Sequence, residues 1–150
     1  MKLAIGADHR GFKLKESLKE YLSSKGYEVF DKGAFNDESS DYPDYAKLVG
    51  KSVVSGESDY GILMCGSGMG ICIAANKVNG IRAILPCNEN MAEMGRRHNN
   101  ANVLCFDADT IKPENAQKYI ETFLKAEFEG GEGSRHERRV KKMSGMESDK

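Results

Sequence analysis

Short apolar runs alternate with longer amphipathic stretches along this chain. Residues 2–7 (KLAIGA) read as a first strand, closed by Asp8-His9. Over 11–24, Phe12, Leu14, Leu18, Tyr21 and Leu22 fall near helical spacing with Lys and Glu between them. Gly26 stands where that helix would stop. Residues 27–31 (YEVFD) read as a second strand. The polar loop GAFNDESSDYPD follows, and Pro43 opens a helix predicted over 43–55. Residues 59–64 (DYGILM) are the most apolar strand candidate, and CGSGMG leads from them into a helix predicted over 70–78. A fourth strand is predicted at 80–85, a helix at 88–97, a fifth strand at 102–106 and a last helix at 113–127, starting on Pro113.

Five strands alternating with helices predict an α/β fold: an open parallel five-stranded sheet with helices on both faces, a three-layer α/β/α sandwich. The 150 residues suffice for one domain with a real core, expected over 1–143. The segment 128–150 holds one Val, one Phe and two Met as its only apolar side chains. Its Gly-rich start reads as a hinge, and residues 144–150 are expected to be a disordered tail.

Composition narrows the function. Lys plus Arg number 22 against 23 Asp plus Glu, a balance that argues against nucleic acid or a polybasic membrane anchor as partner. No apolar run approaches the ~18–20 residues needed to span a bilayer, and MKLAIGADHRGF is too short in apolar residues for a signal-peptide core. A cytoplasmic location is expected. Cys65, Cys72, Cys87 and Cys105 include no C-x-x-C pair, and most read as buried small apolar residues with free thiols. His9, His98 and His136 lie too far apart for a helix to join them, so a multi-His metal site would have to be assembled by the fold.

Ligands of open α/β sheets bind at the carboxyl ends of strands. Asp8-His9, residues 65–70 and residues 86–88 occupy such positions. In Cys65-Gly66-Ser67-Gly68-Met69-Gly70, three glycines let backbone N–H groups turn toward a ligand. The positive pole of the following helix favours an anion there and a thiolate at Cys65, which suits a nucleophile or a general base. The loop lacks the spacing of a dinucleotide fingerprint, the Gly-Lys-Ser/Thr of a phosphate P-loop and the Arg at position 71 of a cysteine phosphatase. The bland alternative is tight strand–helix packing with Cys65 as core filler. Asp8 suits an acid/base role or a helix cap. His98, followed by Asn99 and Asn100, suits a general acid or a turn-rich polar cluster. Arg135 and Arg139 share a face if the tail is helical, fit to fork onto a phosphate or to lie solvated.

The segments GADHRGFKLK (6–15), SSDYPDYA (39–46), ILMCGSGMGICIAANK (62–77), GIRA (80–83), RHNNANVL (97–104) and EGGEGSRHERRV (129–140) resemble the type B ribose-5-phosphate isomerases. That family also includes sugar-phosphate isomerases acting on galactose-6-phosphate and allose-6-phosphate. The resemblance implies a Rossmann-like fold and an aldose–ketose isomerisation of ribose-5-phosphate and ribulose-5-phosphate through a cis-enediolate, with no metal and no cofactor. It implies Cys65 as the base, Ser67 and the N–H groups of residues 66–70 (Gly66, Gly68, Met69 and Gly70 among them) as oxyanion donors, and His98 aided by Asp8 for ring opening. Donors of this kind are worth roughly 3–4 kcal/mol each. His9 and Asn99 would bind substrate, and Arg135 and Arg139 the phosphate. The site would lie between two subunits of a homodimer, or of a dimer of such dimers, with His98 and Asn99 facing the partner's Cys65 loop. Alternatives are a different sugar phosphate, or one subunit of a two-chain isomerase.

Two departures touch the phosphate end. Many members carry an Arg where this chain has Asp109, and a carboxylate there would repel phosphate. Either Arg96, Arg97 or Arg138 substitutes, or the substrate differs. Glu132-Gly133-Ser134 is an insertion before Arg135, which shifts the register of the tail arginines.

Overall fold

The computed structural model describes residues 1–147. Its strands are β1 (Lys2–Ala7), β2 (Glu28–Asp31), β3 (Tyr60–Cys65), β4 (Ala83–Ile84) and β5 (Val103–Asp107). Its helices are α1 (Phe12–Ser24), α2 (Tyr42–Val54), α3 (Met69–Ala75), α4 (Glu89–Asn99), α5 (Pro113–Lys125) and α6 (Arg135–Gly145). The strands form one sheet in the order β2-β1-β3-β5-β4, parallel at every pairing.

Alternation along the strands splits the core in two, as the two-residue period of a strand dictates. Leu3, Ile5, Ala7, Ile62, Met64, Leu104 and Phe106 face α1, α4 and α5. Ala4, Leu63, Cys65, Val103 and Cys105 face α2 and α3. Helices thus cover both faces, as the strand–helix alternation predicts. None of the described helices is long and apolar enough to cross a membrane.

Three expectations need correction. The fourth strand shrinks from 80–85 to Ala83–Ile84, because it pairs with β5 alone and side chains take over its start. The N–H groups of Arg82 and Ala83 donate to Asn102 Oδ1 and Asn76 Oδ1, each at 2.8 Å. The same Asn76 side chain donates to the Ala83 carbonyl at 2.9 Å, tying the chain to β4 just past Ala75, where α3 ends short of residue 78. Third, order does not fade at Ser144. α6 continues to Gly145, its Val140 is buried, and Glu147 accepts from the Gly80 N–H at 2.9 Å. The remainder of the expected tail, 148–150, lies outside the described residues.

Strand order reverses direction between β1 and β3, since the chain goes from β1 out to β2 and then back to β3 on the other side. Such a switch point opens a crevice at the carboxyl ends of its two strands. Asp8 and Cys65 flank it.

Candidate active site

The register pairs Ala7 with Met64, so Asp8, the next residue along, stands beside Cys65. The Asp8 N–H donates to the Met64 carbonyl at 3.3 Å. The Asp8 carboxylate is buried, and its Oδ1 accepts the N–H groups of Arg10 and Gly11 at 3.0 Å each. It therefore holds the turn into α1, with Oδ2 turned to no other described residue. His9 Nδ1 lies 3.2 Å from the Ser40 nitrogen and 3.3 Å from the Ser40 carbonyl oxygen, so the loop before α2 holds the ring.

Cys65 ends β3 with only 4% of its surface exposed. The chain then turns through Gly66 and Ser67 to Gly68, whose φ of +72° lies in the left-handed region. A Cβ on Gly68 would meet Leu85 Cδ1 at 2.6 Å and the Phe106 carbonyl carbon at 2.8 Å, so the loop is pressed against β5 at a point where a side chain has no space. Ala108 and Asp109 donate their N–H groups to the carbonyls of Cys65 and Gly66 at 2.9 and 3.1 Å. Those bonds fix the carbonyls away from the crevice. The N–H groups of Gly66, Ser67, Gly68 and Gly70 have no acceptor among the described residues, although Gly66 and Gly68 are buried. Ser67 is exposed, with its Oγ 3.4 Å from the Met69 N–H. Buried donors without a partner are rare in folded proteins and invite an external acceptor.

Cys105 bears out the filler reading, whereas Cys72 is only half-buried. Cys105 is fully buried, and burial first, then its hydrogen bond with Cys72, pushes its thiol well above the usual value. Cys87 departs from it: it is exposed, beyond the carboxyl end of β4.

A second cluster gathers elsewhere. α4 starts at Glu89, past the carboxyl end of β4, and runs back to Asn99 near the start of β5. Nine steps of 1.5 Å rise put His98 about 13 Å along the helix axis from Glu89. His98 stacks on His136 of α6, with ring centroids 4.3 Å apart and an interplanar angle of 3°. Glu129 Oε2 lies 3.7 Å from the Nε2 of each. Glu129 is itself held by Arg97, whose Nε donates at 2.7 Å. Burial first, then the charges of His98 and Arg135, hold the His136 imidazole below its usual value. The inserted Ser134 is the N-cap of α6, with its Oγ accepting from His136 and Glu137 at 3.2 and 3.3 Å. Its insertion thus starts the helix that carries Arg135 and Arg139 one turn apart, both exposed.

The structure therefore assembles two groups. Asp8, His9, Cys65, Gly66, Ser67, Gly68, Met69 and Gly70 share the carboxyl edge, while His98, Asn99, Arg135 and Arg139 share the α4–α6 corner. No hydrogen bond or ion pair joins the two groups among the described residues. His98, Glu129 and His136 do place their ligand atoms within 4.8 Å of one another. Imidazole lone pairs lie in the ring plane, however, and two parallel stacked rings do not aim at one ion.

Sequence reasoning missed Glu129 and His136 as members of this cluster, since nothing local predicts that the tail folds onto α4. It also missed Arg10, present in the GADHRGFKLK segment, whose guanidinium pairs with Asp109.

The whole chain can now be set beside known proteins. Residues 3–143 match the family model described as Ribose/Galactose Isomerase. The chain belongs to this ribose/galactose isomerase family. It is 44% identical to ribose-5-phosphate isomerase B of Escherichia coli over 146 residues, 97% of this chain and 96% of that one. The structure of Clostridium thermocellum ribose-5-phosphate isomerase B superposes with a TM-score of 0.95 at 47% identity, covering 99% of both chains. That of the Mycoplasma genitalium enzyme, solved with bound ribulose-5-phosphate, gives a TM-score of 0.91 at 42% identity, covering 99% of this chain and 97% of that one. The family resemblance carried by residues 6–140 is thus borne out, as is the fold.

Within the family frame, two of the proposed substitutes for the missing arginine at Asp109 are already engaged. Arg97 is bound to Glu93 and Glu129. Arg96 is bound to Asn100 and the Ala101 carbonyl, with its guanidinium 5.1 Å from the Tyr60 ring centroid. Arg138 is exposed on α6.

Proposed function

We propose that this chain interconverts ribose-5-phosphate and ribulose-5-phosphate, with Cys65 moving the proton between C1 and C2 of the open-chain sugar. The observation that carries this reading is the Cys65 loop: a thiol at the switch point beside four backbone N–H groups that have no acceptor among the described residues. Proton abstraction next to a carbonyl needs a base at one carbon and donors at the oxygen, where the enediolate charge develops. Cys65 and the N–H groups of Gly66, Ser67, Gly68 and Gly70 meet both needs, with the Ser67 hydroxyl at the open side. Asp8, beside Cys65, and His98 serve ring opening, while His9 and Asn99 hold sugar hydroxyls. Arg135 and Arg139 take the phosphate.

The placement of the two groups, one at the carboxyl ends of β1 and β3 and the other where α4 ends near the start of β5, supports a site completed by a second copy of the chain, with His98, Asn99, Arg135 and Arg139 of one protomer meeting the other's Cys65 loop. An apolar surface lies between the two groups. Met69, Ile73 and Met91 are exposed, and a groove of about 390 Å³ beside them is lined by Cys72, Leu85, Met94 and Asn99. A homodimer that buries this surface joins the two groups.

A panel of ribose-5-phosphate, allose-6-phosphate and galactose-6-phosphate with the purified chain tests the reading. Ribulose-5-phosphate is the expected product, and inertness of all three sugars overturns the proposal. Cys65→Ala is expected to lower kcat by about 10²–10⁴-fold with an unchanged melting temperature. Turnover that persists reassigns the base. Asp109, where many relatives carry Arg, favours a second reading in which a six-carbon phosphate is the better substrate. The ranking of kcat/KM across the same panel separates the two.

A further inference from the structure

We propose that Arg10 binds the phosphate of the substrate at the mouth of the Cys65 loop, and that Asp109 holds its guanidinium in place for this task. The proposal rests on the sugar-phosphate reading above and adds a residue to it.

Arg10 follows Asp8 and His9 in the turn between β1 and α1, and its own N–H is fixed to Asp8 Oδ1 at 3.0 Å. From there its side chain crosses the crevice and lies on Gly66. A Cβ on Gly66 would sit 2.7 Å from Arg10 Nε and 2.8 Å from Cζ, so the guanidinium rests against the Gly66 backbone in the space a side chain there would take. Nη2 donates to Asp109 Oδ2. Asp109 is anchored to the same loop, with its N–H on the Gly66 carbonyl at 3.1 Å. Loop, carboxylate and guanidinium therefore form one unit, one residue away from the thiol.

The pair does not exhaust the arginine. A guanidinium carries five N–H donors in a planar fork, and one carboxylate oxygen takes only one of them. Nε and Nη1 have no acceptor among the described residues, and 58% of the side chain is exposed. A phosphate accepts such a fork through two oxygens. Substrate chemistry sets the distance: with C1 and C2 at Cys65, the phosphate of a pentose 5-phosphate is three carbons and an ester oxygen further on, within reach of a group lying over Gly66. Asp109 prevents the long side chain from swinging into solvent, and its negative charge keeps the affinity moderate. This accounts for a carboxylate at a position that faces an anion.

Steady-state kinetics on ribose-5-phosphate, with inorganic phosphate as competing probe, test the assignment. Arg10→Gln is expected to raise KM and the phosphate inhibition constant together, roughly tenfold or more, with the loss falling on KM rather than kcat. Arg10→Lys, which keeps the charge and loses the fork, recovers only part. Asp109→Asn, which keeps an acceptor for Nη2 and removes the charge, lowers both constants. An Arg10→Gln protein with unchanged KM and unchanged phosphate inhibition overturns the role of Arg10 while leaving the isomerase reading intact. A wild-type chain inert toward every sugar phosphate overturns both.

Discussion

Gly68 shows how much of the site depends on one missing side chain. Its left-handed φ and the 2.6–2.8 Å approach of Leu85 and Phe106 leave no space for a methyl group. Gly68→Ala is expected to displace the loop donors and reduce kcat about 10²-fold or more, with a stability loss of about 1–3 kcal/mol for the strained backbone. Kinetics and urea unfolding on the same variant measure both. Lys15 is a different case: it is fully buried, with its ammonium 2.7 Å from Asp31 Oδ2 and 2.8 Å from Glu16. Burial pushes the Asp31 carboxyl up, but hydrogen bonds from Lys15 and Lys19 outweigh it and hold the group below its usual value. A depressed carboxylate stabilises the fold above its unfolded pKa and loses that contribution as pH falls through the folded one. Asp31→Ala leaves the buried Lys15 with Glu16 as its remaining partner, so a loss of about 3 kcal/mol is expected in urea unfolding at pH 7. The Cys65 loop was legible from its three glycines. The buried Lys15 was not, because its place in α1 reads as one more charge between the apolar residues of the helix.

At the scale of elements, the strands and α1, α2, α4 and α5 follow the apolar pattern to within a few residues. The misses share a cause. α3 ends early and β4 starts late because side-chain amides of Asn76 and Asn102 bond backbone that the pattern assigned to the elements. α6 has too few apolar residues to announce itself, and what docks it is Val140 together with the His98–His136 stack. Its pH response follows. Because folding lowers the His136 pKa from about 6.5, the unfolded chain binds more protons there, and stability contributed by that group rises with pH. The melting temperature is expected to fall as pH drops from 7.5 to 5.5, and His136→Gln is expected to flatten that slope. Glu129, held low first by its hydrogen bond from Arg97, titrates below this window. An equal slope in the variant refutes the assignment.

For the whole molecule, the two separate clusters set a prediction about assembly. In a homodimer with shared sites, Cys65→Ala and His98→Asn remove different halves of the same site. A mixed dimer then carries one doubly defective site and one intact site. Refolding the two inactive variants together is expected to restore about a quarter of wild-type activity, half the dimers being mixed with one working site each. Absence of recovery, with mixed dimers verified by mass, argues for sites built within one chain. The sequence by itself determined the layer architecture and the Cys65 loop, because both rest on local rules: the periods of strand and helix, and the backbone freedom of glycine. Only the tertiary structure decided which distant residues meet. It stacked His136 on His98 and set Arg10 against Gly66 and Asp109. Those contacts depend on strand order and on helices folding back along the sheet, which join residues far apart in the chain and leave no periodic trace in it.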